Sequence, residues 1–481
     1  MGRAPETPTQ ALHRLTSYAS GRHWTQATAD PRVLQDLRVN DIARFPWPCK
    51  RYADGLPRVP LPRSLPSTSA PALSVLAGTA PVPPATLDLA QLSRLLYWSA
   101  GVVRVSETPR RTILFRAAGS AGGRFPLELY VAVPSGEALP AGVHWYDPVG
   151  HALVRVGPPP SGGGPAVIVT GVPWRTGWRY AERGYRHVYW DAGTMLAQLL
   201  ALAGSAGLPA ALYTRFPDAA VTALTGADGV HEFGVAVVGL GGQAPALAAG
   251  GPAAAGEVDR APVEFPLVTA AQRAGYTERM GTAWDPAPPL ADAEPPVSPP
   301  VETVIAARGS QRRMDASRGV PAAVLSVGMT VALRGISLPH WVAVHDVTGL
   351  APGIYRWPEL SAPARGGSLR SEVFRVCMDQ ALARDAAFVA IAAADVRGLD
   401  DREYQEAQLA AGLAEGRLHV AAYALGASAT GMTFIDSEVP ALLGERLDGL
   451  LFTCIGVPSY TSAPAAGVPG APAAVRVASP A

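Results

Sequence analysis

The chain has 481 residues, 48% of them hydrophobic, and a net charge of +1. Such a length accommodates two or three domains, and the charge balance excludes a field that would draw nucleic acid or an anionic membrane surface. Lys50 is the only lysine, so a catalytic lysine is nearly excluded, and Cys49, Cys377 and Cys454 lie too far apart for a metal cluster.

In chain order, residues 1–80 are irregular, and Pro46, Pro48, Pro57, Pro60 and Pro62 predict an extended segment that wraps a surface. Residues 81–250 read as one α+β unit. Leu87, Leu89, Leu92, Leu95 and Leu96 recur at helical spacing behind Thr86 as N-cap. Leu127, Leu129, Val131 and Val133 alternate with Glu128, Tyr130 and Ala132, the pattern of a strand with one buried face. A turn and strand over 139–146, a hairpin partner from His151 to Val156, and a short apolar run from Val167 to Thr170 follow. Tyr185 to Ala203 is apolar almost all round and predicts a buried helix; Phe233 to Leu240 predicts a buried strand.

Residues 251–302 have the Pro/Ala-rich composition of a linker, with room for a short helix from Phe265 to Tyr276. Residues 303–462 repeat the first unit in diverged form. Leu350 to Trp357 is similar to Leu139 to Tyr146, Glu415 to Leu425 to Ala192 to Leu202, and Leu451 to Gly456 to the strand ending at Gly239. Residues 463–481 read as a disordered tail. No stretch approaches about 18 uninterrupted apolar residues and no secretory signal opens the chain, so a soluble cytoplasmic protein is expected.

Two stretches carry chemistry. The first is the elbow Arg116-Ala117-Ala118-Gly119-Ser120-Ala121-Gly122-Gly123-Arg124-Phe125-Pro126, running straight into the strand at Leu127. Its glycines let backbone approach a flat or phosphorylated ligand, although such elbows are also ordinary turns. The second is Arg308-Gly309-Ser310-Gln311-Arg312-Arg313, leaving an apolar helix. Two guanidiniums, a serine and backbone N–H groups suit a phosphate monoester; a solvated basic turn is the alternative.

These stretches resemble the SagB-type azoline dehydrogenases, a branch of the FMN-dependent nitroreductase superfamily. Arg116 to Leu129 is similar to the branch's Arg-x-x-Pro-Ser-Ala-Gly-x-x-Tyr-Pro-Leu-Glu pattern. Trp145-Tyr146-Asp147-Pro148 is similar to its Tyr-Asp-Pro turn, and Arg179-Tyr180-Ala181-Glu182-Arg183-Gly184-Tyr185-Arg186 to its Lys-Tyr-Gly-Asp-Arg-x-Tyr-Arg segment. Arg308 to Arg312 resembles the superfamily's Arg-Arg-Ser-x-Arg phosphate motif, and Thr430-Gly431-Met432 lies in a stretch resembling the loop against the flavin.

The resemblance implies an α+β fold of two nitroreductase-like units in tandem, an intrachain pseudo-dimer with flavin at the interface. The first half has the elbow but no arginine motif, since Pro71 to Ala80 contains no basic residue; the second has the motif but no elbow. One composite FMN site is therefore expected, with Arg308, Gly309, Ser310 and Arg312 at the phosphate. Gly119, Ser120, Ala121, Gly122, Thr430, Gly431 and Met432 are expected near the ring. The opposite site is expected to be vestigial.

Two positions depart from the pattern: Gly119 stands where proline is usual, and Arg179 replaces the lysine that in the family assists proton removal. Arginine is no base near neutral pH, which leaves Tyr180 to shuttle the proton if neighbouring arginines lower its pKa. Gly239-Leu240-Gly241-Gly242 fails the dinucleotide-loop spacing, and His340, His345 and His419 read as core or surface histidines. The implied activity is oxidation of peptide thiazolines or oxazolines to azoles. Its implied partners are an azoline-containing precursor peptide and a YcaO-type cyclodehydratase with its leader-binding partner. An NAD(P)H-dependent nitro or quinone reductase and a scaffold without catalysis remain alternatives, and a further homodimer stays open.

Overall fold

A computed structural model describes residues 5–21, 30–108, 111–136, 138–290 and 295–476. The helices are α1 (Pro8–Thr16), α2 (Ala72–Ala77), α3 (Leu89–Ala100), α4 (Pro173–Tyr180), α5 (Gly184–Ser205), α6 (Asp218–Thr225) and α7 (Pro266–Ala274). There follow α8 (Val301–Ala307), α9 (Ala322–Ala332), α10 (Arg370–Val376), α11 (Ala381–Asp385), α12 (Asp401–Ala424) and α13 (Val439–Leu443). The first half contributes strands β1 (Arg58–Pro60), β2 (Val102–Thr108), β3 (Arg111–Arg116), β4 (Leu127–Val133), β5 (Gly142–Asp147), β6 (Ala152–Gly157), β7 (Ala166–Gly171), β8 (Ala210–Tyr213) and β9 (Phe233–Leu240). The second contributes β10 (His340–Val344), β11 (Gly353–Arg356), β12 (Arg365–Gly366), β13 (Phe388–Ala394), β14 (Ser428–Met432) and β15 (Asp448–Gly456), then β16 (Gly467–Val468) and β17 (Ala471–Pro472).

The two main sheets share one plan. The first runs β1-β6-β5-β4-β7-β9-β8 and the second β12-β11-β10-β13-β15-β14, so apart from the extra edge strand β1 the second order repeats the first. All their pairings are antiparallel. The long helices α5 and α12 cross between them, each presenting glycine. A Cβ on Gly193 would lie 2.3 Å from the Leu409 carbonyl oxygen, and one on Gly412 would lie 2.3 Å from that of Trp190. A reciprocal contact also joins the residues ahead of α2 and α8: Pro71 bridges Pro300, and the Ala72 N–H donates to Pro299 O at 2.9 Å.

Several local expectations change. Asp88 caps α3, its carboxylate accepting the Gln91 N–H at 2.7 Å, in place of Thr86. β4 is buried on both faces: Leu127, Leu129, Val131 and Val133 enter the core shared with α5, while Tyr130 and Ala132 enter a second cluster against α6. Buried Glu128 is tolerated because it pairs with Arg175 and accepts the Trp145 Nε1–H at 2.8 Å. The sole lysine, Lys50, is likewise buried against Glu232 at 2.6 Å. The N-terminal wrap contains α1, whose last carbonyls accept from Arg183 and Arg186; both arginines also grip buried Asp436. The expected linker carries α7 where a short helix from Phe265 to Tyr276 had room, and its Leu267, Val268 and Ala271 join the main core. The expected tail is ordered through 476: its strands pair beside β2, with Ala466 N–H on Val103 O at 2.9 Å. Residues 477–481 lie outside the described residues. Among the described residues no helix is long and apolar enough to cross a membrane.

Candidate functional site

The elbow follows β3 as a tight turn with Gly122, Gly123 and Phe125 at φ of +59°, +64° and +48°. Asp191 of α5 holds it from below. Its carboxylate accepts the Ala121 N–H at 2.9 Å and the Ser120 hydroxyl, and Ser120 Oγ in turn accepts the Phe125 N–H at 2.7 Å. The cavity between them is about 20 Å³ and is lined by Gly119, Ser120, Asp191, Arg116 and Met195, among others. It has room for a water.

The arginine motif meets the elbow from the other half. α8 is capped at its C-terminus by Arg308, which is 3% exposed and donates to the Ala117 carbonyl. A Cβ on Gly119 would lie 3.1 Å from Arg308 Nη2 and 3.6 Å from Ser310 Oγ, so glycine is what lets the two segments approach. Burial pulls the Arg308 guanidinium below its usual range, against the attraction of Glu415. Glu415 of α12 accepts the Thr194 hydroxyl of α5 at 2.8 Å, and a Cβ on Gly431 of β14 would lie 3.6 Å from its Oε1. The Gln311 N–H donates to Ala429 O at 3.1 Å, which ties the motif to β14.

The expected residues do not all converge. Gly119, Arg308 and Ser310 come together, and Gly431 lies beside Glu415. Ser120 and Ala121 face Asp191, and buried Thr430 lies on the same edge strand as Gly431. The Arg312 side chain is exposed, and its backbone N–H donates to the Tyr460 hydroxyl at 3.1 Å. Met432 turns into the core of the second unit beside Phe434 and Phe452. A Cβ on Gly122 would lie 2.7 Å from Tyr180 Oη and from Arg179 Cδ, which places that pair on the far side of the elbow.

Tyr180 ends α4 and stacks on His187 with ring centroids 4.1 Å apart. Burial pushes its phenol up, and the opposing pull of Arg179 does not reverse this. The condition for Tyr180 to shuttle the proton, a lowered pKa, is therefore not met, and the hydroxyl suits donation. Asp191 behaves differently from an ordinary aspartate, because burial raises it to about 7 despite its bonds to Ser120 and Ala121.

Three residues join the site without a clear signal in the sequence. Asp191 falls within an apolar helical stretch, where a lone carboxylate is the available hint. His419 reads there as a core or surface histidine, yet its Nε2 lies 3.1 Å from Gly309 O and its Nδ1 3.2 Å from Glu415 Oε1. Arg104 on β2 donates to Arg308 O at 3.4 and 3.5 Å, and burial together with the Arg308 charge pushes it down to about 10.

At the opposite, pseudo-symmetric position the chain fills the space itself. Arg334 donates to Leu76 O at 2.9 Å and to Ala287 O at 3.0 Å, and its guanidinium lies where a Cβ on Gly78 would fall 2.7 Å away. Trp284 Nε1–H donates to Gly335 O at 3.1 Å, and the Leu290 N–H to Ala77 O at 3.0 Å. The connection between the halves therefore lies across this second position.

No protein-family model matches the chain. Over 147 residues, 27% of this chain and 71% of the relative, it is 29% identical to a Methanocaldococcus jannaschii protein named as a nitroreductase. A crystal structure from Anabaena variabilis, described as a nitroreductase, superposes with a TM-score of 0.71 at 22% identity, over 94% of this chain and all 100% of its own. A chain of the Escherichia coli microcin synthetase McbBCD complex, solved with truncated pro-MccB17 bound, matches over 48% of this chain and 91% of its own, at 18% identity and a TM-score of 0.28. The Anabaena match runs through both halves, and the protein has an α+β, nitroreductase-like fold of two tandem units.

FMN is the group implied by the resemblance of the sequence motifs, and the donors present suit a phosphate. Arg308 and Arg104, the second turned onto the Arg308 carbonyl, are two guanidiniums, and Glu415 is the carboxylate whose charge acts on Arg308. That excess of positive charge, with an exposed serine beside it, is the donor set a phosphate monoester needs.

Proposed function

We propose that the protein is an FMN-dependent dehydrogenase that oxidises thiazoline or oxazoline rings in a modified peptide to thiazoles or oxazoles. One observation supports it most: the elbow from the first half and the arginine turn from the second meet at Gly119, where the Arg308 guanidinium would touch any added Cβ at 3.1 Å. Arg308, Gly309 and Ser310 would hold the phosphate, Gly119 to Gly122 and the backbone of Thr430 and Gly431 would flank the ring, and the exposed Arg312 side chain would reach only a ligand's outer edge. When bound, FMN supplies a two-electron acceptor for hydride.

The chain's own residues supply the proton chemistry. Removal of the azoline α-proton needs an acceptor near neutral pH. Asp191, raised to about 7, lies within one hydroxyl of the elbow surface through Ser120. Tyr180, across Gly122, would orient the ring nitrogen as a hydrogen-bond donor, and Arg179 would fix the phenol. The partners in this reading are an azoline-bearing precursor peptide and a YcaO-type cyclodehydratase with its leader-binding partner. The test is mass spectrometry of an azoline peptide incubated with flavin-loaded protein. Loss of two hydrogens per ring is expected; an unchanged peptide from fully loaded protein, especially alongside rapid NAD(P)H oxidation, would replace this reading with that of a flavin reductase.

A further inference from the structure

The carbonyls of the arginine turn are held by side chains outside the motif. Arg104 donates to Arg308 O at 3.4 and 3.5 Å. His419 Nε2 lies 3.1 Å from Gly309 O, and the Tyr423 hydroxyl donates to the same oxygen at 2.7 Å. His419 is gripped from its other side by Glu415 Oε1 at 3.2 Å, so its ring cannot swing away without breaking both contacts. The N–H groups along the turn divide into two kinds. Those of Arg308 and Gln311 go to Val304 O and Ala429 O. Among the described residues, those of Gly309 and Ser310 donate to no protein acceptor. A peptide whose carbonyls are turned inward presents its N–H groups outward, and two successive N–H groups form a concavity for an anion.

We propose that Arg104 and His419 are positioning residues of a phosphate cradle: by holding the carbonyls of Arg308 and Gly309 inward they aim the Gly309 and Ser310 N–H groups at a phosphate monoester. They thereby make the site select FMN over riboflavin. This rests on the reading that a flavin occupies the site. Arg104 comes from the first unit and His419 from α12 of the second, so the selectivity depends on both halves.

The test titrates flavin-free full-length protein with FMN and, separately, with riboflavin, following the quenching of flavin fluorescence. Wild type is expected to bind FMN at least tenfold more tightly than riboflavin. Arg104→Gln and His419→Gln should each weaken FMN about tenfold while riboflavin shifts by less than about twofold. Equal losses for both flavins would reduce the two residues to general supports of the fold and overturn the proposal, as would unchanged FMN affinity. Should His419→Gln fail to fold, Arg104→Gln decides alone. If wild type binds neither flavin, the flavin reading fails, and calorimetry with inorganic phosphate then tests the cradle. Phosphate binding that Arg104→Gln abolishes would sustain it, and no phosphate binding would overturn it.

Discussion

Asp191 is the residue that links the elbow to pH. It lies on a helix turn, 5% exposed, and its two oxygens are taken by Ser120 and Ala121 rather than by a cation. The nearby charges do not rescue its ionised form: Glu415 raises it further, and burial dominates. Its folded pKa, about 7, lies above the unfolded value. The proton it holds when folded therefore contributes stability that is fully present below pH ~4 and is lost as pH rises through about 7. Each tenfold gain in proton affinity on folding contributes at most on the order of 1.4 kcal/mol. Asp191→Asn cannot ionise. Its melting temperature relative to wild type should climb between pH 5 and pH 8, measured by circular dichroism at several pH values. Parallel curves for the two proteins would mean that Asp191 is not held protonated. Little of this was legible in the sequence. The segment Asp191-Ala192-Gly193 follows the Arg-x-Tyr-Arg stretch, but a carboxylate's pKa depends on which backbone closes over it, and the elbow is 70 positions away. The approach of Gly119 to Arg308 and Ser310, by contrast, was legible, because a close meeting of two backbones constrains residue type directly. Arg312 shows the limit of that reasoning: its guanidinium is the right group, on a side chain the turn points outward.

The crossing of α5 and α12 sets the distance between the halves, and it depends on glycine. Added Cβ atoms on Gly193 and Gly412 would meet backbone of the opposite helix at 2.3 Å, and one on Gly416 would meet the Ala197 Cβ at 2.7 Å. Backbone cannot yield as a side-chain tip can, so Gly412→Ala should force the helices apart and cost roughly 2 kcal/mol or more. Gly204 is on α5 too, but its Cβ would find only Val75 Cγ1 at 3.6 Å. Gly204→Ala should therefore stabilise by about 0.5–1 kcal/mol through helix propensity. Urea denaturation of both variants checks the pair, and a Gly412→Ala protein as stable as wild type would show that the crossing has slack. The internal repeat is visible in the sequence, but its helical register is not. Matching Glu415 to Ala192 pairs Gly416 with Gly193, whereas the reciprocal contacts pair Gly412 with Gly193. A buried helix that is apolar nearly all round carries no face signal, so a slip of one turn leaves its pattern unchanged.

At the scale of the whole molecule, a duplicated fold could present two equivalent sites, and the chain departs from that symmetry in three places. Residues 71–80, which include α2, carry no basic side chain, so one phosphate end is missing. Arg334 reaches across to Leu76 O and crowds Gly78, while a Cβ on Gly335 would strike Asp285 O at 2.5 Å. The connection through Trp284, Asp285 and Ala287 then lies over what remains. Composition alone suggests a loose linker there, since extended proline-rich chain looks the same whether it is free or laid into a groove. Opening the second position would mean breaking the bonds from Trp284, Leu290 and Arg334 together. Purified protein should consequently release about one FMN per chain on denaturation, read from its visible absorbance against protein concentration. Arg308→Ala should lower that occupancy, whereas Arg334→Ala, on the filled side, should leave it unchanged. A ratio near two would mean that the connection lifts away and that the second position binds flavin without a guanidinium from residues 71–80.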